Sequence, residues 1–224
     1  MQSLPRKWLA CSAFLLAWIP VWAHASLVPF HFGEKLLQQM EQQFGAGAGQ
    51  RLLDWKAFMA DAQTLSEAQR VQAVNEYVNR MPFVSDQQHW GRNDYWATPF
   101  EFFASNGGDC EDFAIAKYYT LVSLGVDERR LRLTYVKAGS DQEGHMVLTY
   151  QPQWSDDASA WVLDNLAAQV DSLRARTDLT PVYSFNRGGF WLVQQNGSVQ
   201  LAGRGQDVVM WNEVDSRLQA EALL

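Results

Sequence analysis

Helical spacing governs this chain as far as Gly125, and strand alternation governs most of the remainder. That order constrains the fold more than any single motif. Helices segregated from a run of antiparallel strands make an α+β domain, in which a helical lobe packs against a sheet. The first helical pattern covers Glu34–Phe44 and the second Arg51–Asp61, with Leu52, Leu53, Trp55, Phe58 and Met59 on its apolar face. Gly45-Ala46-Gly47-Ala48-Gly49 reads as a hinge between them. Ser66 is the N-cap of a third helix that carries Val71, Val74, Tyr77 and Val78. Residues 81–97 are aromatic and irregular. Thr98-Pro99-Phe100-Glu101 is a capping box with proline at the first helical position, and that helix stops at Asn106-Gly107-Gly108. The next helix runs from Cys110 to Leu124, with Gly125 just past its end and a core stripe of Ala114, Tyr118, Leu121 and Val122. Strands are expected at Leu131–Ala138, His145–Gln151, Trp161–Asn165, Phe190–Gln194 and Val199–Ala202. The last two are joined through Asn196-Gly197, a hairpin turn that accounts for this segment better than its glycosylation sequon does. A final helix is expected at Asn212–Leu223.

The N-terminus reads as an export signal over residues 1–25. Arg6 and Lys7 are its basic end, Trp8–Trp22 its apolar stretch and Ala23-His24-Ala25 its cleavage site. The apolar stretch is too short for a comfortable membrane span. Residues 26–224 then form one domain of 224 − 25 = 199 residues. Removing the two basic residues of the leader takes the formal charge from 18 − 25 = −7 to 16 − 25 = −9. An acidic chain without clustered Lys and Arg is a poor nucleic-acid binder. The leader is expected to export the chain, with no stable membrane insertion.

Of the two cysteines, Cys11 belongs to the leader, so Cys110 is left without a disulfide partner. A lone thiol in an exported protein is either an intermolecular cross-link or a reactive group. Cys110 sits in Gly107-Gly108-Asp109-Cys110-Glu111-Asp112, at a helix start, where the dipole and free N–H groups favour a thiolate. Only His31, His89 and His145 remain as bases. His145 opens a strand after a polar loop, and Asp164 ends the next strand. Neighbouring strands can therefore set Asp164 against one ring nitrogen of His145 while the other faces Cys110. The same spacing also fits a buried small cysteine, a strand-edge histidine and a turn-forming aspartate. His89, beside Trp90, is the rival base and suits a substrate wall better.

Several segments resemble the bacterial transglutaminase-like cysteine proteinases. They are Asp94-Tyr95-Trp96-Ala97-Thr98-Pro99, Gly107–Asp112, Leu131–Val136, His145-Met146-Val147-Leu148, Val162-Leu163-Asp164-Asn165-Leu166 and Asp178–Asn186. The resemblance spans roughly residues 50–191 and implies a papain/transglutaminase-like core whose nucleophile helix packs on the antiparallel sheet. It implies a catalytic triad of Cys110, His145 and Asp164. It also implies the periplasm as home and the role of the LapG-type periplasmic proteases. These cut the N-terminal region of a large surface adhesin, and so control biofilm attachment, and are sequestered by an inner-membrane cyclic-di-GMP receptor.

Asp109, Glu111 and Asp112 crowd the thiol. Acids at a helix start ordinarily satisfy its N–H groups, yet three charges beside a sulfur also oppose its ionisation. A hard cation would remove that conflict, and carboxylates suit calcium. No EF-hand spacing is present, and the scattered Cys and His lack the paired spacing of a zinc site. The LapG-type resemblance implies Ca2+ bound by Asp109 and Glu111, then Asp112. Two further readings stay open. One is a transglutaminase that joins Gln to Lys through the same thioacyl intermediate. The other is a non-catalytic transglutaminase-like binding module, whose usual sign, a missing triad member, is lacking.

Overall fold

A computed structural model describes residues 30–152, 159–194 and 198–224. The expected leader and the Asn196-Gly197 turn lie outside the described residues. Gln194 N–H donates to Ser198 O at 2.8 Å. Among the described residues no helix is long and apolar enough to cross a membrane.

Helices α1 (Glu34–Phe44), α2 (Ala48–Ala62), α3 (Glu67–Val78), α4 (Asp86–His89), α5 (Pro99–Ser105) and α6 (Cys110–Ser123) precede the sheet. α2 begins three residues before the expected Arg51, because Ala48 and Gly49 are buried against α1 and continue the helix. The hinge is therefore shorter than the glycine-rich run. At α5, Thr98 Oγ1 accepts from Glu101 N–H at 3.1 Å and Glu101 Oε2 accepts from Thr98 N–H at 2.8 Å. Such a cap is worth about 1 kcal/mol. Asn106, at φ 65, ends α5 in the left-handed conformation.

α6 is the axis of the lobe. Its C-terminus closes with Gly125 N–H on Val122 O at 2.9 Å and Val126 N–H on Leu121 O at 3.0 Å, with Gly125 at φ 87. The expected stripe is buried, but so is every residue from Asp112 to Val122, Lys117 included. Helices cover one side of α6 and the sheet the other, so its sequence carries no polar face. Trp55, Phe100 and Phe103 pack beside it, with Trp55 and Phe103 stacked 4.5 Å apart.

The strands are β1 (Leu131–Ala138), β2 (Glu143–Tyr150), β3 (Trp161–Leu163), β4 (Asp171–Ser172), β5 (Leu179–Asn186), β6 (Gly189–Val193) and β7 (Val199–Gly203). They form one seven-stranded antiparallel sheet in the order β4-β3-β2-β1-β5-β6-β7. β1 has the expected limits. β2 starts two residues earlier than expected, because Glu143 and Gly144 pair with Ala138 and Lys137 although both are exposed. His145 is thus the third residue of its strand, and Asp164 lies one residue past β3. β5 is a strand that the alternation pattern does not announce. It carries Pro181, and its register against β1 shifts between Tyr135 and Val136, a bulge that accommodates a residue with no N–H to donate. α7 (Val209–Glu221) closes the domain, with Trp211 stacked on Tyr119 at 5.4 Å.

Candidate active site

Cys110 is the first residue of α6, where the helix N–H groups lack intrahelical acceptors. The glycines before it have steric reasons. A Cβ on Gly107, at φ 135, would collide with Pro82 O, and one on Gly108 would collide with the Asp112 carboxylate. Their absence lets Phe83 pair with Gly108 and lets Val84 N–H reach Gly108 O at 2.9 Å. It also lets Asp112 Oδ2 accept from Asp109 N–H at 3.2 Å. Asp112 Oδ1 accepts from Ala97 N–H at 2.7 Å, which ties the aromatic segment to the helix start.

The sheet brings His145 and Asp164 together. His145 Nε2 lies 2.8 Å from Asp164 Oδ1. Asp164 Oδ1 also accepts from Leu166 N–H at 2.9 Å, and Oδ2 accepts from Arg176 Nη2 at 2.8 Å. Burial alone would raise this carboxyl, but its hydrogen bonds from His145, Leu166 and Arg176 prevail and hold it well below the usual range. With Nε2 engaged, Nδ1 is the ring nitrogen left for a substrate or a thiol. Met146, next to His145, has its N–H close enough to the Cys110 sulfur to favour the ionised form. The thiol itself donates to Glu111 Oε2 at 3.1 Å, and among the described hydrogen bonds none joins it to His145. Burial first, then Glu111 and Asp109, push the Cys110 thiol far up. His89 spends Nε2 on Ser105 Oγ at 2.8 Å and sets its ring edge-on against Trp90.

The acids beside the thiol converge with two more, Asp86 and Asp94, that sequence reasoning does not find. Asp109 and Glu111 group with the Cys110 sulfur, Asp86 with Asp109 and Asp112, and Asp86 with Asp94 and Glu111, each group within 4.8 Å. Asp94 opens the Asp94–Pro99 motif, and Asp86 starts the short α4. They arrive from other segments, so no spacing rule points to them. Asp86 Oδ1 and Asp109 Oδ1 are buried without a hydrogen-bond partner among the described residues. Among the described residues no lysine or arginine is ion-paired with any of the five acids. Burial, then the neighbouring acids against the Tyr95 N–H, raises Asp86 to about 6. Burial and Glu111 raise Asp109 to about 7. Orphaned oxygens, uncompensated charge and an all-oxygen donor set fit a hard divalent cation. Asp112, with both oxygens already hydrogen-bonded, acts first as a strut.

Residues 55–186 match the model of a family described as the bacterial transglutaminase-like cysteine proteinases. The chain belongs to that family. As a bacterial transglutaminase-like cysteine proteinase it also resembles solved structures of LapG from Legionella pneumophila. An EGTA-treated form is 32% identical, covering 85% of this chain and 99% of that one, with a TM-score of 0.71. A further LapG structure gives 32% identity over the same shares and a TM-score of 0.70. A calcium-bound form gives 31% identity, 82% and 98% coverage and a TM-score of 0.68. Comparison with curated proteins finds no match. The α+β fold of this proteinase, helices first and antiparallel sheet after, is that of its structural neighbours.

Proposed function

We propose that this protein is a calcium-dependent periplasmic cysteine endopeptidase that cuts the N-terminal region of a large surface adhesin, under restraint by the periplasmic domain of a cyclic-di-GMP receptor. The family membership carries the peptidase reading, and the buried His145–Asp164 pair beside the start of the Cys110 helix is the geometric observation that supports it. The adhesin, the receptor and the periplasmic location rest on the LapG likeness and on the leader read from the sequence.

In this reading the Cys110 thiol passes its proton to His145 Nδ1 and the sulfur attacks the scissile carbonyl carbon. The oxyanion that forms meets the Cys110 N–H, which the helix leaves free. His145 then gives the proton to the leaving amine as the C–N bond breaks. Water, deprotonated by His145, opens the thioester and restores the thiol. Asp164 keeps the imidazole in one tautomer and steadies its charged form throughout. Asp109 and Glu111, with Asp86, Asp94 and Asp112 around them, would hold calcium, whose charge neutralises the acids that otherwise oppose a thiolate.

The test is incubation of the protein with the N-terminal region of a candidate adhesin. Calcium should yield new N-termini, excess chelator should stop the reaction, and Cys110→Ala should stay folded yet lose on the order of 10⁴-fold or more in cleavage. Full turnover in chelator would remove the calcium requirement. Turnover by Cys110→Ala near the parent rate would make the cysteine structural.

A further inference from the structure

Asp164 is fully buried, and a buried carboxylate can swing about its last bond unless both oxygens are held. His145 and Leu166 N–H hold Oδ1, and Arg176 alone among the described residues holds Oδ2. Arg176 is itself fixed. Its Nε donates to Asp178 Oδ1 at 2.9 Å and its Nη2 to Asp178 Oδ2 at 2.7 Å. The turn that bears it is closed by Arg176 N–H on Ser172 O at 3.2 Å and Leu179 N–H on Arg176 O at 3.1 Å. Asp178 O in turn accepts from Gly139 N–H at 2.9 Å, which anchors the turn to the end of β1. A line of hydrogen bonds thus runs inward from half-exposed Asp178 through Arg176 and Asp164 to His145.

On the core side Asp164 meets a different cation. Lys117 of α6 is buried and lies close enough to feel the Asp164 charge, but among the described residues its Nζ has no hydrogen-bond partner. Burial lowers Lys117 to about 7, so its charge is partial at neutral pH, whereas the Arg176 guanidinium stays charged and joins Asp164 to Asp178 through its Nε–Nη2 edge, which also supplies direction.

We propose that Arg176, clamped by Asp178, is a positioning residue of the active site: it fixes the Asp164 carboxylate so that Oδ1 stays on His145 and shares the carboxylate charge with the imidazole. This role rests on His145 and Asp164 acting as the base and its partner, and it adds the residue that holds them. The role belongs to the arginine fork. A lysine would keep the charge but could not grip Asp178 and Asp164 together.

The experiment is an NMR titration of the His145 ring in the calcium-loaded protein, with its signal assigned by its loss in His145→Gln. Arg176→Met removes a positive charge from the carboxylate and should raise the His145 midpoint by about half a pH unit or more. Arg176→Lys should restore part of the shift. Arg176→Gln, which removes the same charge but keeps a polar side chain, should raise the midpoint likewise, and it carries the test if Arg176→Met does not fold. Arg129→Met, on the far exposed Asp127 pair, should leave it in place. Asp164→Asn should lower the midpoint. If Asp164→Asn lowers it while Arg176→Met and Arg176→Gln stay within about 0.2 unit of the parent, the Arg176 role is wrong and the His–Asp pair stands. If Asp164→Asn has no effect either, the proposed triad fails together with it.

Discussion

The two halves of the site are built differently. On the sheet side, His145 and Asp164 have every carboxylate oxygen bonded, by Leu166 N–H and Arg176 as well as by one another. On the helix side, Cys110 shares its surroundings with Asp86, Asp94, Asp109 and Glu111, and two of their buried oxygens have no hydrogen-bond partner among the described residues. Burial raises carboxyls on the helix side, whereas hydrogen bonds overcome burial at Asp164. In the proposed reading the base half is preorganised by the chain alone, while the nucleophile half needs added positive charge to offset its acids.

That contrast separates under mutation. The largest effect is expected on the sheet side: Asp164→Asn should cut turnover by on the order of 10²- to 10⁴-fold, through loss of the tautomer and of the imidazolium's partner. Calcium affinity measured by titration calorimetry should not change. An equal loss of calcium binding would mean that the halves are one unit. On the helix side, Glu111→Gln should weaken calcium binding by on the order of 10-fold or more. In excess chelator the same variant should speed Cys110 alkylation, because a charge that opposes the thiolate is gone. Unaltered calcium affinity would exclude Glu111 as a ligand.

A smaller effect concerns stability against pH. Asp86 and Asp109 titrate at about 6 and about 7 in the folded protein, above the ordinary value of 3.8. The folded state then binds more protons than the unfolded chain through this window, so stability falls as pH rises through it. Glu221, raised to about 8 by burial and then by Glu101, acts in the same direction. In chelator the melting temperature should therefore drop between about pH 5 and about pH 8. Calcium should flatten that drop and leave mainly the Glu221 share. A melting temperature that rises over this range in chelator would contradict the picture of uncompensated acids.

Local signals made much of the fold legible. The Thr98–Glu101 box, the Gly125 stop and the alternation that begins at Leu131 each mark an element boundary from local residues, and the structure has them where the sequence puts them. β5 was not legible, because Pro181 and a bulge interrupt its alternation and its partner β1 lies more than forty residues earlier. The start of β2 was obscured because Glu143 and Gly144 are polar and exposed yet paired. The three residues expected at the reacting centre stand at the start of α6, in β2 and just past β3. Asp86, Asp94 and Arg176 carry no such signal. They reach the site across loops, where only the folded backbone determines which charges meet.

The most direct test compares the alkylation rate of Cys110 by iodoacetamide at neutral pH in calcium and in excess chelator, read by mass of the labelled protein. Labelling should be fast with calcium and slower in chelator by on the order of 10-fold or more, as the acids hold the thiol protonated. Equal rates in the two conditions, with the protein folded in both, would contradict a nucleophile half that depends on added positive charge.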